Sequence, residues 1–260
     1  MPTTTHHTPG PLDLEIRAPS GRIEIETADI TDTVVEAEPL SSSEASAAAA
    51  AAVRQDLRQA GDGQRLRIEV PKQRSRLFGW AEPDVLVRVR CPHGTDVSAH
   101  TASADVDLRG RAGSFQARTA AGDVTAETVA GDSDVKTASG DVSLGSVGGR
   151  TSANTMSGDV VVEEAGGSVA AHTMSGDVRV ERIARGSAEV RTMSGDIVVS
   201  VRPGATLWID AGSMSGEVSS ELPVSDAPPA GGTADIELRA SSMSGDIDLR
   251  RSEEASPAGA

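Results

Sequence analysis

The sequence predicts an all-β protein, a right-handed parallel β-solenoid (β-helix or β-roll-like) with about 18 residues per coil and one Ala-rich helix inserted near the N-terminus. Two observations predict this fold class: a corner motif that recurs about every 18 residues, and a scarcity of aromatic residues. The 260 residues include two Phe, two Trp and no Tyr. Because large rings dominate wide cores, this composition favours a narrow core of small residues.

The corner motif consists in most copies of Thr or Ser, then Met or Ala, Ser, Gly and Asp. It starts at Thr101, Thr119, Thr137, Thr155, Thr173, Thr192, Ser213 and Ser242. Apolar and polar residues alternate on both sides of it, as at Val160 and Val162, and alternation is typical of half-buried strands. Such a coil buries a face only by stacking. We therefore expect each coil to stack on the one before it, with the right-handed crossovers that parallel strands favour.

The corner residues have a predicted geometry. The Gly is expected at positive φ, which residues with a Cβ avoid, and of the eight copies only Ala104 replaces it. The Thr is expected to continue the inward phase of the preceding strand. Spacings between corners lengthen only towards the C-terminus, where the extra residues are expected to be loops.

Residues 12–100 are predicted to form a degenerate N-terminal coil, a helical insert and a cap. Strands are predicted over residues 12–16, 22–25, 66–70 and 84–90. Ser41 with Glu44 resembles a capping box before an Ala-rich run, and Gly61 follows that run. These signals predict a helix over roughly residues 43–60.

A solenoid end exposes strand edges and therefore needs a cap. The helix and a basic loop that holds Phe78 and Trp80 are expected to supply it, with a ligand-binding loop as the alternative. The regular repeat array is predicted over residues 101–250. Residues 1–11 and 251–260 are predicted to be disordered tails.

Composition excludes several function classes. The net charge is −15, from 24 Lys and Arg against 39 Asp and Glu, and this charge argues against nucleic acid or an anionic membrane as partner. The single cysteine, Cys91, excludes an internal disulfide and a cysteine-rich zinc site. No stretch approaches the ~20 apolar residues of a membrane span, and no leader is visible. We therefore expect a cytoplasmic protein without membrane insertion.

The repeated Ser-Gly-Asp corners ahead of alternating strands, the opening Ser20-Gly21 strand and the Ala-rich insert resemble the bacterial family labelled putative adhesins, domain of unknown function 4097. The resemblance covers about residues 12–250. It implies a β-solenoid with no established catalytic residues.

Stacking turns the Asp of each corner into an acidic ladder. Its members are Asp105, Asp123, Asp141, Asp159, Asp177, Asp196, Glu217 and Asp246. One interpretation is structural: each carboxylate accepts a backbone N–H at its own corner, as in an Asx-turn. The other is a cation site. Calcium-binding β-rolls carry two glycine-rich Asp motifs per turn, whereas one corner per turn is present here, so the calcium signal is weak.

Two further columns flank the corner Thr. The residues before it are His100, Arg118, Lys136, Asn154, His172 and Arg191, which would neutralise part of the acidic ladder or recruit an acidic partner. The residues after it include Met156, Met174, Met193, Met214 and Met243, with Ala102, Ala120 and Ala138 in earlier copies. Alternation points the Met column outward, as an apolar interaction stripe. The competing interpretation is that the corner turns these side chains into the core or over its rim. We favour it because buried Met commonly fills irregular gaps in protein cores.

The leading functional interpretation is a non-enzymatic scaffold or interaction module that binds a protein partner or its own copies. The alternatives are a calcium-binding β-roll-like module and a carbohydrate-active β-helix enzyme. A catalytic site needs unlike groups that converge at one place, whereas the outer positions here repeat from coil to coil. No catalytic residue, cofactor or metal ligand is therefore expected.

Overall fold

A computed structural model describes residues 3–75, 79–81, 83–222 and 234–252, with backbone only for 73–75 and 79–81. The described chain is all-β with one helix, and its strands form mostly parallel sheets. It divides into two compact units, Met1–Asp141 and Val142–Ala260. Among these residues no helix is long and apolar enough to cross a bilayer.

Unit 1 contains helix α1 and the first fourteen strands. In chain order these are β1 (Thr3–His7), β2 (Leu12–Ala18), β3 (Ser20–Ala28), β4 (Asp32–Pro39), α1 (Glu44–Ala51), β5 (Arg54–Ala60), β6 (Gly63–Glu69), β7 (Gln73–Ser75), β8 (Gly79–Ala81), β9 (Asp84–Pro92), β10 (Asp96–Thr101), β11 (Asp105–Ala112), β12 (Phe115–Arg118), β13 (Val124–Val129) and β14 (Ser133–Lys136). One sheet has the order β1-β4-β9-β3-β11-β13 and the other β14-β12-β10-β2-β6-β5, while β7 and β8 pair with each other.

Residues 3–7 form strand β1, which differs from the predicted disordered tail over residues 1–11. Strand β1 pairs antiparallel with β4, which itself pairs antiparallel with β9. His6 and His7 contact Gln55 and Asp32 through their ring nitrogens at 2.7 and 2.6 Å. The polar strand β1 covers the edge of β4, which would otherwise expose unpaired backbone groups.

The predicted helix over residues 43–60 is shorter in the structure. Helix α1 ends at Ala51, and Ser43 rather than Ser41 caps it, because the Ser43 hydroxyl accepts the N–H of Ser46 at 3.1 Å. The second half of the predicted helix is strand β5, antiparallel to β6. Gly61, at a φ of +63°, starts a two-residue hairpin turn, the geometry that Gly favours in such turns.

The N-terminal cap therefore consists of antiparallel strands β1, β4 and β5, together with α1, which packs on β4 and β9. Ser46 anchors the helix, since its hydroxyl accepts the N–H of Asp84 at 3.0 Å. The side chains of Phe78 and Trp80, predicted to cap or to bind a ligand, lie outside the described residues, as do residues 253–260 of the predicted C-terminal tail.

Unit 2 contains the last eleven described strands. These are β15 (Val142–Val147), β16 (Thr151–Asn154), β17 (Val160–Ala165), β18 (Val169–His172), β19 (Val178–Ile183), β20 (Gly186–Ser194), β21 (Ile197–Val201), β22 (Leu207–Ser215), β23 (Val218–Ser220), β24 (Ile236–Ser244) and β25 (Ile247–Arg251). The sheet orders are β15-β17-β19-β21-β25-β23 and β16-β18-β20-β24-β22, and the strand pairs within this unit are parallel.

The last two coils of unit 2 are stacked out of sequence order, which corrects the expectation that each coil stacks on the one before it. Strands β24 and β25 lie between β20–β21 and β22–β23. In this arrangement Ile236, Leu238 and Ile247 of the interior coil are buried, whereas β23 of the outer coil is exposed throughout. The guanidinium of Arg239 lies 5.3 Å from the ring centroid of Trp208 in the outer coil.

The core of each unit follows the predicted alternation. Val106 pairs with Val124 in unit 1 and Val160 with Val178 in unit 2, and all four are buried. The inward Thr is confirmed too, since Thr137, Thr155, Thr173 and Thr192 are buried.

The corner Gly is required because adjacent coils approach too closely for a side chain. A Cβ at Gly176 would overlap the carbonyl oxygen of Gly158, and one at Gly122 would overlap that of Ala104. The predicted positive φ is confirmed at Gly158, Gly176, Gly195 and Gly245, with values of +143° to +147°. Gly122 and Gly140 lack it, so close approach rather than φ is the constraint shared by the two units.

Deletion of residues 155–172 tests the coil as a structural unit. It joins Asn154 to Thr173, and Asn154 occupies the same register as His172. We expect a strand-rich circular dichroism spectrum and cooperative urea unfolding, because equivalent positions remain stacked. Deletion of residues 155–163 leaves half a coil and should abolish cooperative unfolding. Equal behaviour of the two proteins would contradict the coil as the unit of folding.

Candidate functional site

Corner hydroxyls of unit 2 donate hydrogen bonds to carbonyl oxygens of the neighbouring coil, as do those of Thr173, Thr192, Ser213 and Ser242. Thr173 and Thr192 donate to the carbonyl oxygens of Gly158 and Gly176 at 3.3 and 3.2 Å, and Ser242 donates to that of Gly195 at 3.3 Å. Because successive side chains of an extended chain point to opposite faces, the residue that follows each hydroxyl points outward.

That next residue is methionine in every corner of unit 2, and all five side chains are exposed. The exposed fractions are 55% for Met156, 48% for Met174, 47% for Met193, 49% for Met243 and 81% for Met214. The interpretation of these residues as core is therefore wrong. The inward and outward alternation of side chains in the preceding strand continues through the corner, because the hydrogen-bonded hydroxyl keeps its residue pointing inward.

The methionines form a single file that we call the methionine ribbon. The pairing of the adjacent serines orders it as Met156, Met174, Met193, Met243 and Met214. At an interstrand spacing of ~4.8 Å the ribbon is about 19 Å long. In unit 1 the same position of the motif holds Ala102, Ala120 and Ala138.

The acidic ladder is bonded to backbone between coils. In unit 1 the N–H of Asp123 donates to Asp105 Oδ1 at 3.2 Å, and that of Asp141 to Asp123 Oδ1 at 2.9 Å. In unit 2 the same hydrogen bond measures 2.8 Å between each pair of neighbouring ladder members. The backbone N–H of each later member donates to Oδ1 of the member stacked before it, in the order Asp159, Asp177, Asp196, Asp246 and Glu217. The predicted hydrogen bond from a backbone N–H to the carboxylate is present in these pairs, but the N–H belongs to the neighbouring coil and not to the same corner.

These hydrogen bonds offset the repulsion of stacked carboxylates. Two unit charges ~5 Å apart repel by about 3 kcal/mol at an effective dielectric of 20 and by under about 1 kcal/mol in water. A hydrogen bond to a charged group contributes ~1.5–3 kcal/mol. Within the described part of the chain, no group of three or more His, Cys, Asp or Glu side chains is placed to hold a metal ion.

Two members of the basic column form ion pairs with acids on their own strands. Lys136 contacts Asp134 at 3.6 Å, and Arg191 contacts Glu189 at 2.6 Å. Each of these acids lies two residues earlier on the same strand. At the first corner of the acidic ladder, Arg22 lies 3.5 Å from Asp105.

Cys91 lies on β9 with its side chain buried. Burial raises the pKa of the thiol to about 11, and a hydrogen bond with Thr95 offsets only part of that effect. A nucleophilic cysteine needs a lowered pKa and access to substrate. Cys91 has neither property.

Comparison with known proteins identifies the class to which this all-β repeat protein belongs. The chain belongs to the Toastrack DUF4097 family, whose model matches residues 13–250. Among curated proteins none matches the sequence.

Three solved structures resemble the chain at low sequence identity. A putative adhesin from Bacteroides fragilis is 15% identical, with 95% of each chain covered and a TM-score of 0.41. A putative adhesin from Parabacteroides distasonis is 10% identical, with 95% of this chain and 97% of that one covered and a TM-score of 0.35. A putative cell adhesion protein from Clostridium sporogenes is 10% identical, with 96% and 99% covered and a TM-score of 0.28.

Replacement of Asp177 and Asp196 separates hydrogen bonding from charge in the acidic ladder. The double change to Asn keeps an oxygen acceptor and removes like charges, so the melting temperature should stay unchanged or rise. The double change to Ala removes the acceptors of two N–H groups and should destabilise the protein by about 1–3 kcal/mol. Thermal melts in calcium and in sodium at equal ionic strength should coincide. A saturable calcium-specific rise that the Asn variant loses would identify a cation site instead.

Thiol labelling tests the buried state of Cys91. Because the folded pKa is about 11, the thiol stays protonated and covered at pH 8, and Ellman's reagent should react many times more slowly with native than with urea-unfolded protein. Because the pKa of the Cys91 thiol is higher in the folded than in the unfolded protein, the protonated thiol contributes fully to the free energy of unfolding at pH values below the ordinary thiol pKa. This contribution is lost as the pH rises towards 11. Cys91 is the only cysteine, so the signal is unambiguous. Equal labelling rates would contradict the assignment.

Proposed function

We propose that this protein is a non-enzymatic repeat scaffold, a right-handed β-solenoid of about 18 residues per coil, that binds a protein partner through the methionine ribbon. One observation carries the proposal: five stacked methionines are each about half exposed or more. Met is flexible and polarisable, and it is over-used at adaptable binding surfaces. A contiguous apolar surface of this kind is typical of interaction sites.

The dimensions of the ribbon suit an amphipathic helix. A helix repeats its apolar stripe once per turn, every ~5.4 Å, and the methionines repeat every ~4.8 Å. About four turns, or roughly 14 residues, span the ribbon at 1.5 Å per residue. One helix face is also narrow enough to lie on a file that is a single side chain wide.

Charge selects the kind of helix. The exposed acidic ladder of unit 2 lies three residues after the ribbon in every corner, from Asp159 to Glu217. A helix with Lys or Arg beside its apolar stripe would meet opposite charge along one flank. A second copy of this chain has a net charge of −15 and would approach against repulsion. We therefore propose a basic amphipathic helix as the partner.

The non-enzymatic assignment has separate support. The outer side chains repeat from coil to coil, whereas catalysis needs unlike groups at one place. The one thiol is buried with a raised pKa. A free buried cysteine also suits the reducing cytoplasm, which is the proposed compartment.

Fluorescence anisotropy with a designed peptide tests the proposed function. The probe is a labelled 14-residue helix of Leu and Lys with one apolar stripe, and a scrambled peptide of the same composition lacks the stripe. Replacement of Met156, Met174 and Met193 by Ser should weaken binding at least tenfold, because each methionine loses apolar burial worth about 1 kcal/mol or more. The melting temperature should change little, since the side chains are exposed.

The matched control replaces Ala102, Ala120 and Ala138 by Ser at the same motif position in unit 1, and it should leave peptide affinity unchanged. Equal binding of the scrambled peptide, or unchanged affinity after the Met replacements, would contradict the proposal. Sedimentation that shows a dimer dissociated by the Met replacements would assign the ribbon to a second copy instead.

A further inference from the structure

Register places six side chains from six strands of unit 1, five basic and one acidic, in one line on the outer face of a sheet. Consecutive pairs are Arg54 with Glu69, Glu69 with Arg17, Arg17 with His100, His100 with Arg118, and Arg118 with Lys136. We call these six residues the basic row. At ~4.8 Å per strand it is about 24 Å long.

The row is an exception to the charge of the chain. It carries four fixed cations and one carboxylate in a protein with a net charge of −15. The residues on either side of each member are mostly buried, as are Ile16 and Ala18 beside Arg17, so the charged side chains point outward. Arg17, Arg54, Arg118 and Lys136 are exposed.

A cavity of about 750 Å³ opens at one end of the row. Four basic side chains line it, Arg17, Arg54, Lys72 and His100, with Glu69 beside them. Its apolar lining comes from Ala18, Pro19, Val70, Pro71 and Ala102. This volume lies in the range of ligand sites, which combine apolar walls with a few charged groups.

The state of His100 is consistent with this arrangement. Burial lowers its pKa, and the cations of Arg17 and Arg118 on either side lower it further, while Glu15 acts in the opposite direction. The lowered pKa favours the neutral imidazole, which contributes hydrogen bonding, with Ser98 Oγ 3.2 Å from Nε2.

Acidic residues on the same strands orient basic side chains of the row, but they do not use all of the N–H donors of these side chains. Glu15 accepts from Arg17 Nε at 2.7 Å, and Asp134 lies 3.6 Å from Lys136. A guanidinium has five N–H donors and an ammonium three, so further carboxylates have donors to bind. The ion pairs hold the side chains in place, which lowers the entropy lost on binding.

We propose that the basic row and its cavity bind an acidic protein segment in extended conformation, with an apolar side chain in the cavity and carboxylates along the row. About seven residues at ~3.3 Å each match the length. A long polyanion such as nucleic acid would be repelled by the surrounding negative charge, whereas a short segment meets only the row. This site is independent of the methionine ribbon.

The test uses a fluorescein-labelled peptide of two Leu followed by five Glu. Replacement of Arg118 and Lys136 by Gln should weaken binding about tenfold, the effect of two modest charge pairs. The matched control replaces Arg109 and Arg111 by Gln, which removes the same charge from exposed positions of β11, and should leave affinity within about twofold. Binding should also weaken as salt rises and when Ala replaces both Leu of the peptide.

Three results would overturn the proposal. Equal losses in the two variants would show that only net charge matters. Equal binding of a seven-nucleotide single-stranded DNA would show a general polyanion site. Saturation by citrate alone, with no gain from the peptide, would show a small-anion site. Circular dichroism of each variant establishes that the fold is retained.

Discussion

Close contact between coils at the corner is the constraint on which the rest of the structure depends. The glycine backbone of one coil lies where a Cβ would overlap the carbonyl of its neighbour, as at Gly176 and Gly158. This approach brings the next Asp N–H within 2.8 Å of the carboxylate of Asp159. It also lets the hydroxyl of Thr173 reach the carbonyl of Gly158. One missing methyl group thus allows the hydrogen bonds that align each coil with the next.

The alignment of equivalent residues in stacked coils determines the composition of the surface. In a stacked coil a residue type at one position becomes a column, so a surface changes along its length only when the motif changes. Unit 1 places Ala where unit 2 places Met, and only the latter column is a ribbon of large apolar side chains. The basic row arises differently, because β2, β5 and β6 are not copies of the motif. It combines repeated positions with residues that the irregular N-terminal strands bring alongside.

Much of the fold follows from the sequence, and the exceptions have physical reasons. The inward columns, the corner glycines and the buried threonines are properties of period and alternation, which a sequence displays directly. The sequence predicts helix at strand β5 because the Ala-rich segment that precedes this strand has high helix propensity. The Gly-Asp turn at Gly61, which closes the hairpin, is a weaker signal. Met174 is exposed because the hydroxyl of Thr173, the residue before it, is bonded inward to the carbonyl oxygen of Gly158. This contact lies between coils and is not visible in the sequence. The alignment of Arg17 with His100 depends on a register between distant segments, which neither segment displays alone.

The reversed order of the last two coils has a consequence for how the chain folds during synthesis. Strands β22 and β23 leave the ribosome before β24 and β25, yet they pair with those later strands and not with β20 and β21. In this arrangement a domain that grows coil by coil from its N-terminus must hold one coil aside until the next has docked. Strand β22 pairs with β24 in the folded protein, so a nascent chain that stops before Ile236 lacks the strand on which β22 finally pairs.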